Sequence, residues 1–141
     1  MRIFLDANIL ITVLCNEYPQ FAFCSRILSL CDDKKFEVYT SPLCLAIAFY
    51  FAEKKNGNYL ARKKVNLLAS KIRISAMDEV SVRKTIANKS INDFEDGLEY
   101  YSALQSKSRC IVTNDKKDFY FSEIEILDAH DFLMKYVVAK K

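Results

Sequence analysis

Three aspartates stand where a predicted strand or helix meets a loop, and they are the residues of this chain best suited to chemistry. Asp6 follows the apolar run 2–5, Asp96 lies near the start of an acidic helix, and Asp115 follows the apolar run 110–113. Carboxylates that converge without a matching Lys or Arg repel one another, which raises their pKa values and destabilises the fold. A bound divalent cation removes this cost. Ligand sets made of oxygen favour Mg²⁺ or Mn²⁺, whose usual work is to bridge phosphates and activate water.

Each of these acids also has an ordinary structural explanation. Asp is a favoured helix N-cap, and Asp6 taken alone is better explained as the cap of the first predicted helix than as a ligand. The metal hypothesis therefore depends on the convergence of several acids at one place.

Length and composition predict one ordered domain, spanning residues 1–141, in a reducing compartment. The chain is 51% hydrophobic with two Gly and two Pro, so we expect a buried core and no disorder. Its five Cys form no C-x-x-C pair and it has one His, which leaves too few of these ligands for a zinc site. The odd number of Cys and the lack of a signal peptide favour reduced, buried thiols and a cytoplasmic location. No apolar run approaches the roughly 18 residues needed to span a membrane.

Charge is divided unevenly along the chain. Residues 54–89 contain ten Lys or Arg and two acids, a net charge of +8, while the whole chain carries only +3. The rest of the chain is therefore acidic. A basic segment beside an acidic cluster suits an enzyme that holds cations in the cluster and a polyanion on the segment. The simpler alternative is a set of solvated helix faces.

The acids are positioned by strands that alternate with helices. Strands are predicted at about 2–5, 36–40, 72–74, 110–113 and 124–127, with helices between them and after the last one. This alternation predicts an α/β fold in which a central parallel sheet of about four to five strands carries helices on both faces. Ligands in such sheets bind at the carboxyl ends of strands, where the strand order reverses. Asp6 and Asp115 are expected at two of these ends.

The acidic helix, predicted at about 93–105, decides which carboxylates enter the site. Its predicted apolar stripe comprises Phe94, Leu98, Tyr101 and Leu104. On that assignment Asp93 and Asp96 lie on one side beside the stripe, while Glu95 and Glu99 point away into solvent. Like charges at this spacing cost a few tenths of a kcal/mol, which the helix N-terminus or a bound cation must offset.

Four stretches of the chain together resemble the PIN-domain family, in particular its branch of VapC-like toxins from toxin–antitoxin pairs. They are LDANIL, TSPL, DFEDGLEYYSAL and IVTNDKKDF, and they span nearly the whole chain in the order and spacing of the family. The resemblance implies a three-layer sandwich of helices around a parallel sheet. It also implies a ribonuclease dependent on Mg²⁺ or Mn²⁺, with metal ligands at Asp6, Asp96 and Asp115. The implied partner is a protein antitoxin, and the chain is compatible with a homodimer.

Further residues take roles through this resemblance. Asp93 and Asp118 match additional acidic, metal-binding positions, and Thr113 and Asn8 match polar positions beside the metals. Thr113 is expected to orient a carboxylate or a water molecule. The predicted substrate contacts are Asn8, Arg62, Lys63, Lys64 and Lys116, with Tyr59 stacking on RNA bases.

One departure from the family pattern concerns the helix after the second strand. Many members carry a Glu there, whereas this chain has no acid before Glu53, about two helical turns too late. Either Asp93 substitutes for it, or the site holds one metal firmly and a second only with substrate, or activity is weakened or lost. His130 is expected to be structural, because the mechanism needs no His as base.

Two other classes of function remain open. One is a non-catalytic PIN-like module that binds RNA or protein, motivated by the missing Glu. The other is a phosphatase resembling the haloacid dehalogenases, with Asp6 as a covalent nucleophile. That family requires an acid two residues later, where this chain has Asn8.

Overall fold

A five-stranded parallel sheet forms the centre of the protein, in a computed structural model that describes residues 1–139. The strands are β1 (Arg2–Leu5), β2 (Glu37–Thr40), β3 (Arg73–Ile74), β4 (Cys110–Val112) and β5 (Glu125–Leu127). They are ordered β3-β2-β1-β4-β5, and every neighbouring pair is parallel. This order confirms the predicted α/β class and sheet.

Within residues 1–139, seven α-helices connect and cover the strands. They are α1 (Ala7–Leu14), α2 (Phe21–Ser29), α3 (Pro42–Asn56), α4 (Asn58–Lys71), α5 (Glu79–Ala87), α6 (Phe94–Gln105) and α7 (Ala129–Phe132), and α7 continues as a π-helix over Leu133–Val138. Helix α1 packs on α2 and α3, α3 on α4, and α2 on α7, whereas α5 packs on α6. Because β-helix-β crossovers are right-handed, these two groups lie on opposite faces of the sheet. None of the described helices is long and apolar enough to cross a membrane.

The helices begin where the sequence places capping side chains. Asp6 caps α1, Ser41 caps α3 with Pro42 in the first turn, and Asp93 caps α6. Asp78 and Asp128 cap α5 and α7 in the same way. Each side-chain oxygen accepts a backbone N–H that has no partner inside the helix, which stabilises the helix by about 1 kcal/mol.

The strands at the centre of the sheet are buried because both of their faces are covered. All of β4 and residues Ile3, Phe4 and Leu5 of β1 have no exposed surface. Strand β1 lies between β2 and β4, with Leu5 opposite Val112. The residues just after β1 and β4 therefore meet at one edge of the sheet. This is also where the strand order reverses, the usual place for a ligand site in an α/β sheet.

The acidic helix α6 turns a different face inward from the one predicted. In α6 none of the four predicted stripe residues is fully buried, and Phe94 is 50% exposed. The buried residues of α6 are Gly97, Glu99, Tyr100, Ser102 and Ala103. In α3, which is apolar on nearly all sides, the buried residues are Cys44, Ala48 and Ala52, along one side.

Gly97 explains how α6 is turned. A methyl group at this position would lie 2.4 Å from Thr85 Cγ2 of α5, closer than any real contact between such atoms. Helix α5 packs closely against α6 at Gly97, where α6 carries no side chain. This contact fixes the rotation of α6 about its own axis. The rotation decides which acids of α6 face the sheet.

Candidate active site

Asp6 lies at the centre of the site, at the carboxyl end of β1. Its Oδ1 accepts a hydrogen bond from Ala7 N at 2.6 Å as the cap of α1. Its Oδ2 accepts one from Thr113 Oγ1 at 2.7 Å. The side chain is thus both the predicted cap and a member of the acidic cluster, so the two explanations offered for Asp6 do not compete.

Asn8 and Thr113 connect Asp6 to Asp115. Asn8 Nδ2 lies 3.1 Å from Thr113 Oγ1, 3.2 Å from Asp115 Oδ2 and 3.3 Å from Asp6 Oδ2. Asn8 Oδ1 accepts from the backbone N–H of Asn114 at 3.1 Å, and Thr113 Oγ1 accepts from Asp115 N at 3.0 Å. Both polar atoms of the Asn8 side chain are used inside this network. Asn8 therefore orients carboxylates in this structure, whereas the sequence suggested a contact with substrate.

Asp96 reaches the cluster from the first turn of α6 and is half-buried. Burial, followed by the charges of Asp93 and Asp118, raises the pKa of Asp96 from 3.8 to about 7. Asp93 itself is exposed and caps α6, accepting a hydrogen bond from Asp96 N at 3.1 Å. The negative charge of Asp6 also raises the pKa of Asp96, so the acids at the end of β1 and in α6 interact electrostatically.

Asp118 extends this field from the short turn after β4. Its backbone N–H bonds to the carbonyl of Asp115 at 3.0 Å. Its pKa is raised by burial and by the charges of Asp115, Asp6 and Asp93. The five predicted metal-binding acids thus come from β1, α6 and the loop after β4, and the fold brings them to one region.

Glu99 is the site residue that the sequence reasoning placed wrongly. It was predicted to point into solvent with Glu95, yet it is only 3% exposed, whereas Glu95 is exposed as predicted. Burial, followed by the charge of Asp6, raises the pKa of Glu99 to about 11. Residues three apart lie only about 60° apart around a helix, whichever of its faces turns inward. Glu99 therefore shares a side of α6 with Asp96, one turn further along.

Cys44 faces Glu99 from the first turn of α3, the helix in which many family members carry a Glu. Its Sγ donates to Glu99 Oε1 at 3.3 Å. Burial, together with the charges of Glu99 and Asp6, raises the pKa of the Cys44 thiol well above its ordinary value. Glu53 lies near the far end of α3 and accepts a hydrogen bond from Asn58 at 2.6 Å. The carboxyl group that lies against the first turn of α3 is therefore that of Glu99, from α6.

The basic residues predicted to bind substrate lie in three different settings. Lys64 Nζ donates to the carbonyl of Leu14 at 2.8 Å, at the end of α1 away from Asp6. Lys116 Nζ lies 3.8 Å from Asp128 and 3.6 Å from Asp131. Arg62 and Lys63 are exposed and line a shallow depression on α4 together with Tyr59. Of these residues only the last three present a free surface suited to a polyanion.

None of the ion pairs formed within residues 1–139 includes an acid of the cluster, which comprises Asp6, Asp93, Asp96, Glu99, Asp115 and Asp118. His130 also lies apart from it, half exposed beside Asp131 with its ring on the edge of Phe23, which fits the structural role predicted for it. Divalent cations such as Mg²⁺ or Mn²⁺ fit this donor set, because its ligands are carboxylate oxygens.

The parallel sheet, its order and the acidic site at the β1–β4 junction define a PIN domain. A PIN domain family model matches residues 2–117, and the chain belongs to this family. Ribonuclease VapC1 of Aquifex aeolicus (strain VF5) is 24% identical over 142 residues, an alignment that covers 96% of this chain and 95% of that protein. The family that the sequence motifs indicated is thereby confirmed.

Solved structures of the same fold include two VapBC proteins and one VapC toxin. VapBC-1 from nontypeable Haemophilus influenzae superposes with a TM-score of 0.69 at 17% identity, covering 92% of this chain and 99% of that one. VapBC2 from Rickettsia felis, bound to a DNA fragment from its promoter, gives 0.66 at 19% identity, covering 91% and 98%. VapC20 from Mycobacterium tuberculosis, a toxin that cleaves the sarcin-ricin loop, gives 0.61 at 13% identity, covering 77% and 86%. These likenesses confirm the fold.

Proposed function

We propose that this protein is an endoribonuclease dependent on Mg²⁺ or Mn²⁺ and the toxin component of a toxin–antitoxin pair. The observation that carries the proposal is the meeting of Asp6, Asp96 and Asp115 at the β1–β4 junction without a compensating cation. These acids do not stabilise the fold, because their mutual repulsion disfavours the charged forms. Binding of a cation therefore explains why they lie together. The likeness to Ribonuclease VapC1 supports RNA as the substrate.

Asp6, Asp96 and Asp115 would hold the cation. When bound, Mg²⁺ or Mn²⁺ neutralises charge on the phosphodiester and makes water a stronger nucleophile. Thr113 fixes Asp6 through the 2.7 Å bond to Oδ2, and Asn8 fixes Asp115 at 3.2 Å. Carboxylates held in this way lose little freedom when they bind a cation, which is the benefit of a pre-organised site.

Arg62 and Lys63 on α4, with Tyr59 beside them, are proposed to bind the RNA at a distance from the scissile bond. All three side chains are exposed, and Tyr59 is 81% exposed. Basic side chains bind the phosphate backbone without regard to sequence, and an exposed aromatic ring can stack on a base. Lys64 is excluded from this role, because its ammonium group stabilises the C-terminal end of α1.

A protein antitoxin is proposed as partner because two of the solved structures of this fold are VapBC structures, and a third is of a VapC toxin. The simplest test is the neighbouring gene. We expect a short reading frame whose product has a DNA-binding N-terminal part and an apolar tail. Coexpression of that product should suppress both RNA cleavage and growth arrest, and the lack of suppression would contradict the pairing.

The identity and contacts of Asn8 argue against the phosphatase alternative. A second carboxylate two residues after the nucleophile is required for that chemistry, whereas Asn8 offers an amide that is fully engaged with Asp6, Thr113 and Asp115. Incubation with an acyl or aryl phosphate should therefore leave no phosphate on Asp6.

The direct test of the proposed function is cleavage of single-stranded RNA by the purified protein. We expect cleavage with Mg²⁺ or Mn²⁺ and none with excess EDTA. Equal cleavage in chelator would exclude the metal mechanism. RNA binding without cleavage under any metal would instead identify a non-catalytic PIN-like module.

A further inference from the structure

Four acids of the candidate site belong to two segments of like charge. Asp93 and Asp96 lie at the start of α6, whereas Asp115 and Asp118 lie in the turn after β4. The segments repel each other, because burial and then the charges of Asp93 and Asp118 raise the pKa of Asp96. In the absence of a cation, another contact has to hold the start of α6 beside this turn.

The hydroxyl group of Tyr120 makes such a contact. Tyr120 lies two residues after Asp118, at the end of the turn. Its hydroxyl donates a hydrogen bond to the carbonyl of Ser90 and accepts one from Asn92 N at 3.1 Å. Among the hydrogen bonds of residues 1–139, these two are the ones that join the turn to the loop before α6.

The loop bonded to Tyr120 leads directly into the acids of α6. Asp93 comes immediately after Asn92 and caps α6 by accepting a hydrogen bond from Asp96 N at 3.1 Å. At the other end of the loop, the side chain and carbonyl of Asn88 accept from two later N–H groups of the loop, at 3.0 and 3.1 Å. Since the loop is closed on itself in this way, a movement of the loop also moves both acids.

The ring of Tyr120 is held in place although it lies at the surface. Tyr120 is 58% exposed, so it contributes little to the buried core. Its ring stands edge-on to Phe121 at 5.3 Å between centroids, and Phe121 stands edge-on to the buried Tyr100 of α6 at 5.2 Å. These contacts orient the hydroxyl toward the loop.

We propose that Tyr120 is a positioning residue of the candidate active site. Its hydroxyl group holds Asp96, at the start of α6, beside Asp115 and Asp118, so that acids of both segments can bind one cation. This role rests on the proposed function, in which these acids hold Mg²⁺ or Mn²⁺. Residues that orient metal ligands without touching the metal change metal affinity by about 10–100-fold when they are substituted.

The first test measures cation binding without RNA. Tyr120→Phe removes the hydroxyl group and keeps the ring. The matched control is Tyr136→Phe, because the Tyr136 hydroxyl donates to Glu125 at the start of β5, the end of the sheet opposite to the acids. Bound Mn²⁺ is counted by electron paramagnetic resonance. We expect Tyr120→Phe to bind Mn²⁺ at least tenfold more weakly than the wild type, and the control to bind it as tightly. Unchanged affinity in Tyr120→Phe, or an equal loss in both variants, would overturn the positioning role.

Hydrogen exchange tests the contact itself, with EDTA present and no RNA. The backbone N–H of Asn92 loses its acceptor in Tyr120→Phe, so we expect it to exchange at least tenfold faster than in the wild type. The same exchange rate in both proteins would show that Tyr120 does not hold the loop, and would also overturn the proposal.

RNA cleavage separates the loss of positioning from general damage. Tyr120→Phe should need more Mn²⁺ for half-maximal cleavage, yet reach nearly the wild-type rate once Mn²⁺ is saturating. A rate that stays tenfold lower at saturation would mean that the hydroxyl acts on something other than cation binding. Wild-type protein that binds Mn²⁺ but cleaves no RNA would reject the proposed function, and weaker Mn²⁺ binding by Tyr120→Phe would still support the positioning role.

Discussion

Thr113 Oγ1 donates a 2.7 Å hydrogen bond to Asp6 Oδ2, and this bond joins the carboxyl ends of the two central strands. The residues are 107 positions apart in the chain, and the parallel pairing of β1 with β4 brings them together. Thr113 has no exposed surface, so its hydroxyl is committed to the site. The acids of the cluster are thereby held by the most buried part of the sheet.

Removing this hydroxyl should disturb the site more than the fold. Thr113→Val keeps the shape but leaves Asp6, Asn8 and Asp115 N without a common partner, which we expect to lower RNA cleavage at least tenfold. Folding stability should fall by about 1–2 kcal/mol, as for loss of a buried hydrogen bond. Thr113→Ser restores the oxygen and should recover most of the activity. Unchanged cleavage in the Val variant, or a loss in the Ser variant as large as that in the Val variant, would contradict the role assigned to the hydroxyl.

The roles of the acids of α6 can be distinguished by substitutions that each remove one negative charge. Asp96→Asn removes a proposed ligand, and we expect RNA cleavage to fall by at least about 100-fold. Glu95→Gln removes the same charge from an exposed position on the same helix and should leave cleavage within about twofold, because solvent screens it. Cleavage rates for both variants, under saturating Mg²⁺, make the comparison. A loss in the Glu95 variant equal to that of the Asp96 variant would place the site on another face of α6.

The raised pKa of Asp96 makes the stability of the metal-free protein depend on pH. In the folded state Asp96 keeps its proton up to about pH 7, whereas its ordinary pKa is 3.8. Between these values the folded state binds the extra proton, so this contribution to stability falls as the pH rises. Asp96→Asn removes the contribution, and its Tm relative to the wild type should rise by a few degrees between pH 4 and pH 7. A constant difference in Tm across that range, measured with EDTA, would contradict the shift.

The sequence was sufficient to predict the sheet and two acids at the ends of its strands. Each central strand is a short apolar run followed by a polar residue that ends it, so Asp6 and Asp115 could be placed at strand ends without coordinates. Ser41 and Asp93 were predictable as caps for a similar reason, since cap residues act within one turn of the helix they begin.

The face of α6 and the position of Cys44 required the structure. Helix α6 has apolar residues on several sides, and Phe94 could have been the inward residue as easily as Tyr100. The choice depends on the close approach of α5 at Gly97, a contact between helices that no periodicity encodes. Cys44 and Glu99 are 55 residues apart, and only the folded chain shows that they meet.

The contribution of α4 to RNA binding can be measured through its salt dependence. The double variant Arg62→Glu, Lys63→Glu should weaken RNA binding. It should also reduce the slope of log Kd against log salt by the amount expected for the loss of about one to two phosphate contacts. The control exchanges Lys34 and Lys35, which are exposed in the loop before β2, for Glu. Both double variants alter net charge equally, so only the location differs. An unchanged slope for the α4 variant would move the RNA to another surface.

The central claim is that one cation held by Asp6, Asp96 and Asp115 is required for cleavage, and Mn²⁺ tests it most directly. Bound Mn²⁺ is counted by electron paramagnetic resonance while RNA cleavage is followed in the same samples, for the wild type and for Asp115→Asn. We expect cleavage to rise with the bound Mn²⁺ of the wild type, and the variant to lose tight binding and cleavage together. Cleavage that proceeds in the variant at the wild-type rate, or in the wild type before any Mn²⁺ is bound, would contradict the account.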